Sequence, residues 1–399
     1  AEIPEWEELR RKARAIKSEA IAHLDRYLEE LEARVTENGG KVFWARDGAE
    51  ASGYIRELAR SRGVKSAVKS KSMTTEEIHL NQVLEEAGVQ PVETDLGEYI
   101  IQLARETPSH IILPAIHKTK EEVSDLFTKE LGTERTTEVE RLTATARQVL
   151  RRRFIEADMG ITGANFAVAE TGTIVLVENE GNIRFSTGAP RIHVALMGIE
   201  KVIPRFDDLA TFLRLLPRSG TGQRITTYVN LLKGARRPDE EDGPHEFHLI
   251  LLDNGRTKIL ADPEARESLF CIRCGACLNV CPVYQRVGGH SYGWVYPGPI
   301  GAMITPQYLG LEKAPDLPFA SSLCGACKDA CPVRINIPKV LLHLRNHIVE
   351  KVPGRKTSWG MRFAAWILAA PWRYRTATRM ARILQWPLKR DGHLHWVPG

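Results

Sequence analysis

All seven cysteines of the chain lie between positions 271 and 331, and their spacing is the first sign of chemistry. One run reads C-I-R-C-G-A-C-L-N-V-C-P and the other S-S-L-C-G-A-C-K-D-A-C-P. Cys271, Cys274, Cys277 and Cys281 follow the C-x2-C-x2-C-x3-C-P pattern of bacterial two-cluster ferredoxins, and Cys324, Cys327 and Cys331 repeat its last three positions. In that pattern three thiolates in a tight loop cap three irons of one cubane, while the fourth ligates the other cluster. Each run ends on Cys-Pro, where the proline fixes φ and withholds its own N–H.

The crossed pattern gives Cys271, Cys274, Cys277 and Cys331 to one [4Fe-4S] cluster. Cys281, Cys324 and Cys327 go to a second, which is one thiolate short. Ser321, three residues before Cys324, stands where that thiolate is expected. An alkoxide is a harder ligand than a thiolate and its hydroxyl is far less acidic. The second cluster is therefore expected to have a labile corner, held by Ser321, water, a partner residue or substrate, or lost to give [3Fe-4S]. Structural zinc prefers separated pairs closing tetrahedral sets of four, and seven cysteines in this order do not divide that way. Disulfides fit less well still, because the count is odd and nothing suggests secretion.

Composition sets the frame around this centre. With 399 residues, 43% hydrophobic and 26% charged, the chain is ordinary globular material of two or three domains. Confining every cysteine to one window argues for a reducing cytoplasm and for thiolates kept for metal. The N-terminus A-E-I-P-E-W-E-E-L-R-R-K is charged throughout and is no secretory signal, and no apolar run reaches the length of a membrane-spanning helix. Since residue 1 is Ala, further residues are expected upstream. The net charge of +5 hides an asymmetry: residues 351–390 hold ten Lys/Arg and no acid. Trp359, Trp366, Trp372, Trp386 and Trp396 lie in or just after that tail.

The elements that must position the cysteines precede them. Apolar residues recur at helical spacing over 4–38, which reads as one long helix stopped by Gly39-Gly40. After it come a strand K-V-F-W-A, a helix over 47–62, a strand over 64–73 running into a polar loop, and a Thr-capped helix over 74–88. The pattern continues with a strand at 89–94, a helix at 96–103, a strand at 110–115, and helices at 119–131 and 138–157. Strands and glycine turns fill 159–182, a sheet segment follows at 193–204 and a helix at 207–217. T-T-Y-V-N-L-L and F-H-L-I-L-L-D are the last strands, and Asn254-Gly255 turns the chain. Such alternation implies an α/β fold with a mainly parallel sheet and crossover helices. It divides the chain into an N-terminal helix (1–39), an α/β domain (40–260), a helical two-cluster domain (261–350, with 337–352 helical) and a basic Trp-rich tail (351–399).

The blocks S-K-S-M-T-T-E-E-I (70–78), E-T-D-L-G-E-Y-I-I-Q-L (93–103), P-S-H-I-I-L-P-A-I-H-K-T (108–119) and I-T-G-A-N-F-A-V-A-E-T-G-T-I-V-L-V-E-N-E-G-N (161–182), with C-I-R-C-G-A-C-L-N-V-C-P-V-Y, resemble the iron–sulfur B subunit of the three-component bacterial lactate-utilisation system. The resemblance covers residues 5–345. It implies a lactate-utilisation domain with a CoA-transferase/ribose-phosphate-isomerase-like fold, then a ferredoxin-like region whose second cysteine set has three members. It also implies two partner subunits and oxidation of L-lactate to pyruvate.

Other constellations are weighed beside the cysteines. Lys69, Ser70, Lys71 and Ser72 lie where a strand ends and a helix begins, a usual place to hold an anion such as lactate or a phosphate; a solvated basic loop is the plain alternative. Glu170 in A-E-T-G-T, near Asn165 and Glu178-Asn179-Glu180, suits a general base or nucleophile, or else caps a turn. His110 and His117 bracket a segment as hydrogen-bonded structural or proton-transfer groups, and His193 reads as packing. Arg273, Lys328 and Arg334 place positive charge among the cysteines, which raises a cluster's potential, unless they only face solvent. No dinucleotide fingerprint, P-loop or DNA-binding motif is present, so specific nucleic-acid partners and a redox-sensing regulator are poorly supported.

Together these features describe an electron-transfer subunit of a lactate-oxidising complex, cytoplasmic or peripheral at the inner membrane face. The rival is an enzyme whose α/β domain itself binds lactate or a thioester. Residues 355–390 are expected to form amphipathic helices that dock on an acidic partner or the membrane surface, or else fold back on the acidic N-terminal helix.

Overall fold

In the computed structural model of the chain, the strand–helix alternation becomes two sheets. Residues 4–352, 359–385, 389–390 and 393–394 are described. The strands are β1 (Lys41–Ala45), β2 (Ser66–Lys69), β3 (Gln90–Glu93), β4 (Met159–Thr162), β5 (Phe166–Val168), β6 (Thr173–Glu178), β7 (Ile192–Gly198), β8 (Val202–Ile203), β9 (Tyr228–Leu232) and β10 (Glu246–Leu252). Six of them form a wholly parallel sheet in the order β1-β10-β7-β4-β2-β3. Its central strands read as continuous apolar runs because helices cover both faces; every residue of β7 is buried. A second sheet, β8-β5-β6-β9, is mixed, with β6 antiparallel to both neighbours. Gly160 in β4 is fixed by packing, since a Cβ there would lie 1.7 Å from the Ser186 carbonyl oxygen.

Three expected elements differ. The N-terminal stretch is two helices, Trp6–Ala22 and Leu24–Glu37, broken at His23, where φ −125° and ψ 41° leave the helical region. The 74–88 helix is also two, Met73–Glu77 and Leu80–Glu86, separated by His79 in the left-handed region at φ 52°. Residues 110–115 are turns and not a strand. The His110 ring accounts for this: its Nδ1 accepts the N–H groups of Ile112 (3.0 Å) and Leu113 (3.1 Å), and Pro114 has none to offer a ladder.

The helices Ala276–Asn279, Pro282–Val287, Gly298–Leu309 and Ala326–Ala330 make up the cysteine-bearing segment. It does not stand apart from the α/β part: both belong to one compact unit, Ala1–Arg345. One core runs through both, joining Phe166, Leu249 and Leu31 to Leu278, Ile300 and Val340. The first helix ties the second cysteine run in place. Arg10 donates to the Cys331 carbonyl from Nε (3.0 Å) and Nη2 (2.8 Å) and to that of Asp329 (2.7 Å).

Residues Asn346–Gly399 form a second unit. The helices Trp359–Leu368 and Pro371–Gln385 bury no side chain among the described residues. On the first, Trp359, Phe363 and Trp366 stack along one side, and Arg373 of the second lies 4.3 Å over the Trp366 ring. Arg355, Lys356, Trp386 and Trp396 lie outside the described residues. Among the described residues no helix is long and apolar enough to cross a membrane.

Candidate metal centre and adjoining cavity

The two cysteine runs adopt the same backbone. Arg273 (φ 59°) and Gly275 (φ 75°) flank Cys274, and Leu323 (φ 56°) and Gly325 (φ 90°) flank Cys324. These left-handed turns curl each loop so that its N–H groups and thiols point inward. The match extends to the residue that differs. Cys271 Sγ accepts the Arg273 N–H at 3.4 Å, and Ser321 Oγ accepts the Leu323 N–H at 3.2 Å. Ser321 thus has the local geometry of Cys271. The hydroxyl that touches a thiol belongs to its neighbour, Ser322, which hydrogen-bonds Cys324.

Between the runs the thiols sort crosswise. Cys271, Cys274, Cys277 and Cys331 line one small cavity, together with Ile111 from the loop that His110 folds. Cys281 and Cys324 lie near Cys327. The chemistry of the first set fits iron. Burial pushes the Cys277 and Cys274 thiols well above their ordinary value, and Cys331 up to about 11. Three buried thiols of this kind, beside Cys271 in one pocket, become thiolates only around a cation that replaces lost hydration. Backbone N–H groups supply further support, from Ile335 to Cys331 Sγ (3.3 Å) and from Tyr284 to Cys281 Sγ (3.5 Å). The second set lies nearer solvent. Cys324 is exposed, and the Ala326 N–H and then the Ser322 hydroxyl hold its thiol below the ordinary value, while burial pushes Cys327 up to about 11.

Beside the first set, a cavity of about 290 Å³ opens along the C-terminal edge of the parallel sheet. Lys71 and Ser72 reach it from beyond β2, Asp95 from beyond β3, Asn165 from beyond β4 and Lys201 from beyond β7. This is the crevice in which open α/β sheets bind ligands. The opposite wall includes Arg273, from the first cysteine loop, and Tyr296. Most of the cavity's charges are already paired. Lys71 Nζ donates to the Ile112 carbonyl (2.7 Å) and faces Asp95 (3.3 Å). Glu178 accepts from Ile183 N–H (2.7 Å) and Asn230 Nδ2 (2.7 Å). Glu180 is exposed at the mouth, and desolvation and then the Asp95 carboxylate shift its carboxyl upward.

A buried ion network underlies the wall. Arg256 donates to Glu200 (2.6 Å) and, from both terminal nitrogens, to Glu77 (2.9 and 3.0 Å). Arg273 meets Glu200 at 3.3 Å and the Tyr308 hydroxyl at 3.1 Å, and Tyr296 donates to Glu77 at 2.9 Å. Burial acts to raise the Glu200 pKa, but the charges of Arg256 and Arg273 prevail and hold it at about 2. Fixed ion pairs thus join the sheet to the cysteine loop.

The structure disperses several of the sequence candidates. Lys69 is fully buried and paired with Glu76 (2.8 Å) and Glu93 (2.7 Å), so its charge is matched within the fold, and it does not line the cavity. Burial pushes the carboxyls of Glu93 and of nearby Glu98 up, because one lysine serves several acids. Ser70 is buried, Ser72 caps the helix that follows, and of the four only Lys71 and Ser72 line the cavity. Glu170 is exposed, accepts the Phe206 N–H at 2.8 Å and does not line the cavity. His117 pairs with Glu106 (2.8 Å) and His193 with the Thr162 hydroxyl (2.9 Å). Lys201, Glu200, Arg256 and Ser322 were not singled out from sequence. The strand-end rule applied to Lys71 would have found Lys201, which follows β7 in G-I-E-K.

Comparison with known proteins agrees with this architecture. Residues 28–252 match the family model described as LUD domain, and residues 267–335 that described as 4Fe-4S dicluster domain. "Lactate utilization protein B" of Bacillus licheniformis is 47% identical over 401 residues, spanning 100% of this chain and 84% of that protein. The proteins of the same name from Shouchella clausii and Bacillus subtilis are 46% and 45% identical, with 84% of each covered. A solved duf162 family protein from Deinococcus radiodurans shares 12% identity at a TM-score of 0.32, covering 57% of this chain and 98% of that one; a likeness so low carries no argument. A parallel-sheet LUD domain continuous with a crossed pair of cysteine runs, and close identity over the whole chain, place this protein in the LUD-domain iron–sulfur family of the lactate utilization B proteins.

Proposed function

We propose that this chain is the iron–sulfur electron-transfer subunit of a complex that oxidises L-lactate to pyruvate with two partner proteins. The observation that carries the reading is the crosswise sorting of the thiols. Each run lends its last cysteine to the other's group, so two [4Fe-4S] clusters would lie close enough for electron tunnelling. The first would be held by Cys271, Cys274, Cys277 and Cys331, and would adjoin the cavity. The second, on Cys281, Cys324 and Cys327 with Ser321 at its fourth corner, would lie nearer the surface, where a partner can take electrons. The tail would serve attachment: its helices bury nothing among the described residues and carry aromatics interleaved with arginines, which suits an acidic partner or the membrane face. The relatives' name, lactate utilization protein B, supports the substrate.

A second reading, in which the α/β domain itself binds lactate or a thioester, is favoured by the cavity at the sheet edge beside Cys271. Anaerobic purification with iron and sulfide analysis and EPR separates the two. Lactate-dependent bleaching only with both partners present supports the subunit reading. Bleaching of the isolated chain supports the second, and a preparation without iron–sulfur signals overturns both.

A further inference from the structure

We infer that Arg273 and Lys201 form a carboxylate clamp in the sheet-edge cavity, and that its ligand is a small monocarboxylate of the 2-hydroxy or 2-oxo acid class. This goes beyond electron transfer; the 2-hydroxy or 2-oxo acid class of the ligand, and with it the choice of L-lactate and pyruvate as probes, rests on the function proposed above.

Two cations on the cavity wall are not fully matched by the groups around them. Arg273 keeps only 9% of its side chain exposed. Its Nη2 is used by Glu200 and Tyr308, but its Nη1 is buried with no hydrogen-bond partner. Lys201 is 7% exposed and makes no hydrogen bond or ion pair among the described residues, yet it lines the same cavity. The two are near enough for each charge to be felt by the other. An unsatisfied buried guanidinium nitrogen is costly, and natural proteins rarely retain one without a ligand or water to fill it.

The charge balance points to a single negative charge. Arg256, Arg273 and Lys201 face Glu77 and Glu200, which leaves one positive charge unmatched. Lys17 reaches the same region, its Nζ donating to the Glu200 and Val202 carbonyls, but burial pulls its pKa down to about 7, so it adds only part of a positive charge. The same cavity carries Asp95, Glu178 and Glu180, whose field opposes a dianion such as a phosphate ester. Its volume of about 290 Å³ suits a molecule of a few heavy atoms, with room for water. A carboxylate presents two oxygens, one for each cation, and its small substituent would then lie on the apolar side formed by Ile112 and Leu216.

Arg273 also lies within the first cysteine loop, so the competing role for both cations is to offset the charge of an iron–sulfur cluster. Calorimetric titration of the anaerobic, cluster-loaded full chain in its oxidised state, without partners, distinguishes the roles. L-Lactate and pyruvate should bind saturably at one site, with inorganic phosphate at least roughly tenfold weaker. Lys201→Met and Arg273→Gln should each weaken binding by roughly tenfold or more. Should Arg273→Gln fail to load iron, Lys201→Met carries the test, because it leaves the cysteine loop intact. Absence of saturation for both acids at roughly 10 mM overturns the inference. So does Lys201→Met binding like wild type, or Lys201→Met shifting the cluster's midpoint potential with affinity unchanged. Binding is read here without electron transfer, so a complex that binds lactate but never bleaches would refute the proposed function alone.

Discussion

Removing the Arg256 guanidinium should separate the α/β sheet from the cysteine segment energetically. The Arg256 and Glu77 side chains are 0% exposed and that of Glu200 1%, and three charge-assisted bonds of 2.6, 2.9 and 3.0 Å join them. In Arg256→Met, Glu77 keeps Asn254 (2.7 Å) and Tyr296 (2.9 Å), but Glu200 keeps only Arg273 at 3.3 Å among side chains. Breaking a buried pair on one side leaves uncompensated charge, which costs about 3–5 kcal/mol. The acid limb gives an independent magnitude. Glu200 titrates at about 2 in the fold against 4.5 unperturbed. At 1.36 kcal/mol per pKa unit that is about 3 kcal/mol of stability, fully present above pH 4.5 and lost as pH falls towards 2. Arg256→Met raises that pKa, so the acid loss should begin at higher pH. Urea unfolding of anaerobic protein, followed by tryptophan fluorescence and matched for iron content, measures both effects. The triple variant Arg256→Met/Glu77→Gln/Glu200→Gln should regain much of the stability, since no buried charge remains. A triple variant no more stable than the single one would show that lost packing, not stranded charge, is the cause, and would refute the reasoning.

Ser321→Cys should suppress the 3Fe-type EPR signal that mild ferricyanide is expected to raise from the second cluster; a variant losing iron as readily as wild type would show that Ser321 is not at the fourth corner. Carboxylate affinity measured by calorimetry should fall as pH rises through about 8, because desolvation and then the Arg273 charge hold the Lys201 pKa down at about 8, and the clamp needs the protonated form. Deleting 355–399 should release the protein from its complex or from membranes while iron content stays intact, and unchanged fractionation would count against the tail's role. Gly160→Ala should destabilise the sheet by roughly 1–3 kcal/mol or more, read as a lower urea midpoint, since a Cβ would sit 1.7 Å from the Ser186 oxygen.

The sequence alone determined the class of cofactor and the family, because metal-ligand spacing is a local property: in C-x2-C-x2-C-x3-C the first three thiolates share one loop whatever surrounds them, and the fourth is left for the other cluster. It also determined the parallel sheet, since β7 and β10 are buried along almost their whole length and their apolar runs leave little ambiguity. Local competition was harder to see. The His110 ring captured two N–H groups from an apolar run that otherwise reads as a strand, and the breaks at His23 and His79 interrupt helices whose periodicity continues across them. The cavity was beyond reach, because its charges come from positions 71, 95, 201 and 273, and sequence does not say which are spent on one another. Lys69 and Lys71 look alike in the chain, yet one is locked between Glu76 and Glu93 while the other borders the cavity. Strand alternation does not separate them, since positions two apart share a face; β2 ends at Lys69, and only tertiary packing decides that Lys69 is enclosed between two carboxylates while Lys71 faces Asp95 at the cavity.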